Sequence, residues 1–154
     1  MQYTEVLANC EDPAVGEAVL RSLAELFMRD AHLLTVNASE QAIAAKIAQY
    51  LQPKFEGCHV DVEYNRNGDA SKKVAWRENL DDVYPDIIVH QRMTDRNVLA
   101  IELKKTTNPE KKIKDIQKLR AYRRELGYNH ALFLRLGVGK MAGTVTECEW
   151  VHDQ

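Results

Sequence analysis

Three residues in the middle of the chain carry side chains able to do chemistry together: Asp86, Glu102 and Lys104. Asp86 follows Pro85 near the start of one apolar run, and Glu102-Leu103-Lys104 closes another, Val98-Leu99-Ala100-Ile101. Side chains two apart on a strand share a face, so Glu102 and Lys104 point one way while Leu103 points into the core. Pairing with the Asp86 strand then brings both carboxylates together. Two carboxylates converging at the ends of buried strands repel unless a hard cation sits between them. Mg²⁺ is held in this way, by one or two carboxylates plus waters and phosphate oxygens. A lysine alongside can orient or deprotonate a water and neutralise charge that builds on a phosphate. Its place on the carboxylate face marks Lys104 as a residue for chemistry rather than for folding.

The elements that must position this cluster are legible from periodicity. Asp12-Pro13 starts a helix whose stripe runs through Val15, Val19, Leu23, Leu26 and Phe27 toward Leu33 and Leu34. A second helix follows Asn37, with Ile43, Ile47, Tyr50 and Leu51 on one face and Pro53 at its end. Residues 59–66 alternate Val60, Val62 and Tyr64 against Asp61, Glu63 and Asn65, the pattern of a strand with one buried face. Two more strands are predicted over 84–91 and 97–104, joined by a hairpin turn at 94–97. Asn108-Pro109 opens a third helix with Ile113, Ile116, Leu119 and Tyr122 toward the sheet and a stop at Gly127. Strands near 129–136 and 143–151 complete the chain. Gly137-Val138-Gly139-Lys140 has no glycine at the distance a phosphate loop requires, and Met141 replaces the hydroxyl residue, so it reads as a turn. The order is that of an α/β fold, a mixed central sheet flanked by helices. A single domain over 1–154 is expected, with 1–36 as an N-terminal helical extension and 37–154 as the core.

Composition agrees with one ordinary core: 154 residues, 45% hydrophobic and 29% charged. No run approaches the roughly 20 apolar residues of a membrane span and the N-terminus has no signal-like segment, so a cytoplasmic protein with no membrane partner is expected. Cys10, Cys58 and Cys148 are odd in number and widely spaced, which indicates neither a disulfide framework nor a zinc knuckle. The five histidines are scattered without metal spacing, and His90 alone is worth following, because it lies four residues after Asp86 on the same strand face. The net charge of −2 is unevenly spread: residues 1–64 hold ten acidic and four basic side chains, residues 65–154 thirteen and seventeen. Within 102–124, nine lysines and arginines stand against Glu102, Glu110 and Asp115. A run of this kind is a solvated helix face or a phosphate-binding surface.

Pro85-Asp86 followed by Glu102-x-Lys104 resembles the signature of the PD-(D/E)xK nucleases, the restriction-endonuclease-like superfamily. The order of elements from the second helix on is similar to that family's αβββαβ core, here with an extra N-terminal helix. The likeness spans about 40–136 and includes Glu63-Tyr64-Asn65-Arg66 and Asp115-Ile116-Gln117-Lys118-Leu119, stretches associated with small prokaryotic members. The resemblance implies a nuclease that hydrolyses phosphodiester bonds, in DNA, with Mg²⁺ or Mn²⁺ as cofactor. Asp86, Glu102 and the Leu103 backbone carbonyl would be the metal ligands and Lys104 the catalytic lysine. Glu40 would match the glutamate of the first core helix, although Asn37 three residues before it also makes a capping box. Glu63 could share a metal or simply face solvent. Gln117 and Tyr122 are similar to a Gln-x-x-x-Tyr motif of some relatives, but one residue too far apart, and Lys118 stands at the fitting distance from Tyr122. Lys111, Lys114, Lys118, Gln117 and Lys73 are the candidate nucleic-acid contacts. A homodimer through the N-terminal helix is compatible with this reading. Two alternatives keep the scaffold: a non-catalytic module binding nucleic acid or protein, and a dimeric junction resolvase. With no further recognition domain, strong sequence specificity is not expected.

Overall fold

The computed structural model describes residues 2–62 and 85–152 throughout, and between them the backbone of four short strands within 66–82. Three helices come first, α1 (Tyr3–Ala8), α2 (Pro13–Arg29) and α3 (Ala31–Thr35). Asp12 caps α2 by accepting from the Ala14 N–H at 3.0 Å, with Pro13 supplying the first turn. The expected stripe is real: Val15, Val19, Leu23 and Leu26 are buried. They join Leu7, Leu34 and the residues of α4 (Glu40–Leu51) in one cluster, so this face of α2 is consumed inside the chain. A dimer contact through α2 would have to use its opposite side. Where α1 crosses α2 the backbones nearly touch, and a Cβ at Gly16 would lie 2.1 Å from the Leu7 carbonyl. Helix α4 is capped by Ser39, whose Oγ accepts from the Ala42 N–H at 3.1 Å. Asn37 sits outside the helix with φ of 56°, so no capping box involving Asn37 and Glu40 forms.

The central sheet has five strands in the order β1 (His59–Val62), β6 (Ile87–His90), β7 (Asn97–Lys105), β8 (His130–Leu136) and β9 (Val145–Trp150). Between β1 and β6 lie two antiparallel hairpins, β2 (Arg66–Asn67) with β3 (Ala70–Ser71) and β4 (Lys73–Trp76) with β5 (Asn79–Asp82). The sequence places no element there, because these short stretches lack a strand-length apolar alternation. Within the sheet β7 and β8 are parallel and the other pairs antiparallel, which makes the sheet mixed as expected. The β7-to-β8 crossover is α5 (Ile113–Leu126). One sheet face carries Ile87, Val89, Leu99, Ile101, Leu103 and Leu134 against α1–α4. The other carries Ile88, Ala100, Ala131 and Phe133 against Ile116, Leu119 and Tyr122 of α5. Gly137–Lys140 is a turn, as expected, with a short 3₁₀ segment at Gly139–Met141. Among the described residues no helix is long and apolar enough to cross a membrane.

Two expectations need correction. Helix α5 begins at Ile113 rather than Pro109. Asn108 turns its side chain onto the Glu110 N–H at 3.0 Å, and Arg135 from β8 donates to the carbonyls of Lys105, Asn108 and Glu110. With those acceptors taken, an α-helical ladder cannot start until the next turn. As a result Ile113 is 63% exposed and does not face the sheet. The edge strand β1 is also less one-sided than its alternation suggests, since Val62 is 39% exposed while Asp61 is the better covered residue.

Asp61 is held by His90 Nε2 at 2.7 Å and by the Arg92 guanidinium, with Nε at 3.0 Å from Oδ2. This accounts for His90, 2% exposed and engaged with β1. Burial alone would raise the Asp61 carboxyl, but Arg92 and His90 outweigh it and hold it below the usual carboxylate range. A carboxyl lowered in the folded state stabilises the fold above its unfolded value near pH 4, and this contribution fades as pH falls through the lowered value. Asp61→Asn is therefore expected to be less stable than wild type at neutral pH, and the gap should close in strong acid. Urea unfolding at both pH values checks this, and a gap independent of pH would contradict it.

Candidate active site

The site forms where β7 outruns β6. The ladder ends with the pair Ile87 and Ile101, and its register continued past the strand end would set Asp86 opposite Glu102 and Pro85 opposite Leu103. Cross-strand partners share a face, and both acids turn toward α5. The Leu103 N–H, which points toward β6, is taken by Asp86 Oδ2 at 2.7 Å. The next N–H on that edge, Lys105, is taken by Glu40 Oε2 at 2.9 Å, which also accepts from Asn108 Nδ2 at 3.2 Å. A residue's N–H and C=O point to the same side of a strand, so the Leu103 carbonyl faces Pro85. Proline has no N–H, and the ladder offers that carbonyl no donor. The Pro-Asp pair thus does two things at once: Asp86 satisfies the edge donor and Pro85 leaves the edge acceptor open.

Glu102 is 3% exposed, and Tyr122 on α5 donates its phenolic O–H to Oε1 at 2.8 Å. The Asp86 and Glu102 carboxyls are within hydrogen-bonding reach of each other. Burial, and then the Asp86 charge, push Glu102 well above the ordinary carboxyl range, and burial also raises Asp86 despite the Leu103 N–H. Burial beside Glu102 raises the Tyr122 phenol as well, so it stays a donor.

Two lysines flank the pair. Lys104 Nζ makes an ion pair with Asp115 Oδ2 at 3.0 Å and with Glu110 Oε2 at 3.3 Å. Burial pulls its ammonium down, but the Asp115 and Glu110 carboxylates outweigh that and hold it above the ordinary lysine value. Lys118 Nζ lies 3.8 Å from Glu102 Oε1 and 3.9 Å from Asp115 Oδ1. Lys118, and not Gln117, occupies the position on α5 beside Tyr122 that meets the carboxylates. Asp115, 4% exposed, is the member that the sequence reading misses. Its signal is an acid at core spacing, four residues before Leu119 and seven before Tyr122. Because Asp115 is buried, Lys104 has a folding role besides any chemical one. Lys104→Met should cost about 2 kcal/mol, less than a fully orphaned buried charge because Lys118 stays near. A melting temperature equal to wild type would contradict this.

A cleft of about 430 Å³ opens beside Asp86, lined by Glu40, Gln41, Ala44, Val62 and Asp86. Glu40 therefore reaches the site from α4, tied to the β7 edge. Of the other expected contacts, Lys111 and Lys114 are exposed, the first just before α5 and the second on it. Lys111 and Gln117 line a separate, larger cleft. Lys73 falls on β4, whose side chains lie outside the described residues, as does Glu63. Among the described residues no group of three or more His, Cys, Asp or Glu side chains could hold a metal ion. Two carboxylates with waters and backbone oxygens are a hard donor set of the kind that Mg²⁺ takes. No family model, no curated protein and no solved structure matches this chain.

Proposed function

We propose that the chain is a metal-dependent nuclease of the PD-(D/E)xK type, with a restriction-endonuclease-like core, acting on DNA. One observation carries this reading: just beyond the end of β6 the Asp86 and Glu102 carboxyls are within hydrogen-bonding reach of each other, with Asp86 taking the Leu103 N–H. Two carboxyls are brought together in a buried place that raises both, and with the neighbouring Leu103 carbonyl they offer a set of hard oxygen donors suited to a divalent cation. Asp86, Glu102 and the Leu103 carbonyl would hold Mg²⁺ or Mn²⁺. When bound, such an ion lowers the pKa of a water and offsets charge on a phosphate. The protein's own groups do the rest. Lys104, kept protonated by Asp115 and Glu110, neutralises developing phosphate charge rather than accepting a proton. Tyr122 and Lys118 fix the Glu102 carboxylate toward Asp86. Lys111, Lys114 and Lys118 belong to the basic segment that would meet the nucleic-acid backbone.

Titration calorimetry tests the reading. Mg²⁺ or Mn²⁺ should bind the wild-type chain and bind neither Asp86→Asn nor Glu102→Gln detectably, whereas unchanged binding in both variants overturns it. The near-complete burial of Glu102 favours one alternative, a scaffold that binds nucleic acid without cutting it. That alternative expects nucleic-acid binding with no metal-dependent cleavage.

A further inference from the structure

A second cleft, of about 690 Å³, lies apart from the one beside Asp86. It lies between the 106–112 loop, the first turns of α5 and the β8–β9 edge. Its apolar wall is Pro109, Ile113 and Ile116, and Ile113 is 63% exposed, an unusual place for an isoleucine on a helix that has a core to face. Its acids are all paired. Glu110 meets Lys104 at 3.3 Å, Glu149 meets Lys112 at 3.0 Å, and Glu147 is held by Arg135 and by Lys112 at 3.7 Å. Lys111 and Arg120, also lining the cleft, make no ion pair among the described residues. The cleft therefore combines an exposed apolar patch with two uncompensated cations, one at each end of the patch along the chain. An anion with a flat apolar body complements it, whereas a basic or wholly apolar ligand does not.

We propose that this cleft holds one nucleotide of the substrate strand, its base against Ile113 and Pro109 and its two flanking phosphates toward Lys111 and Arg120. The proposal rests on the nuclease reading for the identity of the strand. Glu110 ties it to that site, because the same residue lines the cleft and meets Lys104.

The test is fluorescence anisotropy with a labelled single-stranded oligonucleotide and the full chain in EDTA, across a series of salt concentrations. Lys111→Gln and Arg120→Gln should each lower the slope of log affinity against log salt by about 0.7, the value for one lost phosphate contact on a single strand. Ile113→Glu should weaken binding by about tenfold, since it sets a carboxylate against the phosphates. Arg21→Gln, on the exposed side of α2, should change nothing. All four positions are exposed, and circular dichroism confirms that the variants fold. Unchanged affinity and slope in Ile113→Glu and Arg120→Gln overturn the subsite whether or not the protein cuts DNA. A free mononucleotide that binds as tightly as the oligonucleotide also overturns it, in favour of a small-molecule site. Binding that depends on these residues in a protein that never cleaves with Mg²⁺ supports the subsite and overturns only the nuclease reading.

Discussion

Asp86→Asn is expected to reduce Mg²⁺-dependent cleavage by at least about a hundredfold while leaving the fold intact. The asparagine oxygen can still accept from the Leu103 N–H, so the hydrogen bond that closes the β7 edge survives. What disappears is half of the anionic charge that would hold the cation. A loss of activity here cannot be blamed on unfolding, which makes this the cleanest of the active-site substitutions. Single-turnover cleavage beside a thermal melt measures both, and a rate within about threefold of wild type would mean that Asp86 serves the strand edge alone.

Glu102→Gln is expected to do something less usual, raising stability as it removes function. Glu102 is buried next to Asp86, and its folded-state value stands well above the ordinary range. A carboxyl raised in this way contributes stability below its unfolded value, near pH 4.3, and loses it as pH rises through the folded value. At neutral pH the metal-free wild-type chain therefore bears either an unfavourable buried charge or the cost of protonating it. Glutamine bears neither and can still accept from Tyr122. The variant should melt higher than metal-free wild type, by about 2–4 °C for each kcal/mol relieved. The gap should widen with pH, vanish in acid and shrink when Mg²⁺ is added to wild type. A variant that melts below wild type at every pH would show that Glu102 is a structural acid.

Why some of this was legible in the sequence and some was not follows from the range of the interactions. Val98 to Ile101 is a run that strand periodicity identifies locally, and the i, i+2 rule then puts Glu102 and Lys104 on one face with no knowledge of the rest. The cap of α2 at Asp12 is equally local. The start of α5 is not, because Arg135, 25 residues beyond Glu110, grips the loop that Asn108-Pro109 would otherwise turn into a helix. Ile113 stays away from the sheet for the same reason. Asp115 looked like one more acid in a charged helix, and only the position of β7 beneath it makes it the partner of Lys104. The capping-box alternative for Glu40 rests on Asn37, a near neighbour, whereas its observed partners are the Lys105 N–H and Asn108, 65 and 68 residues away. Patterns set by adjacent residues survive translation from sequence to structure. Ion pairs set by a strand register do not announce themselves.

The convergence of Asp86 and Glu102 has one direct functional consequence, phosphodiester cleavage that requires a divalent cation. Incubating the purified chain with supercoiled and linear DNA, in Mg²⁺ and in EDTA, measures it. Cleavage products are expected with Mg²⁺ and none with EDTA. Supercoiled and linear DNA left intact with Mg²⁺ and with Mn²⁺, by a folded protein, would contradict the assignment.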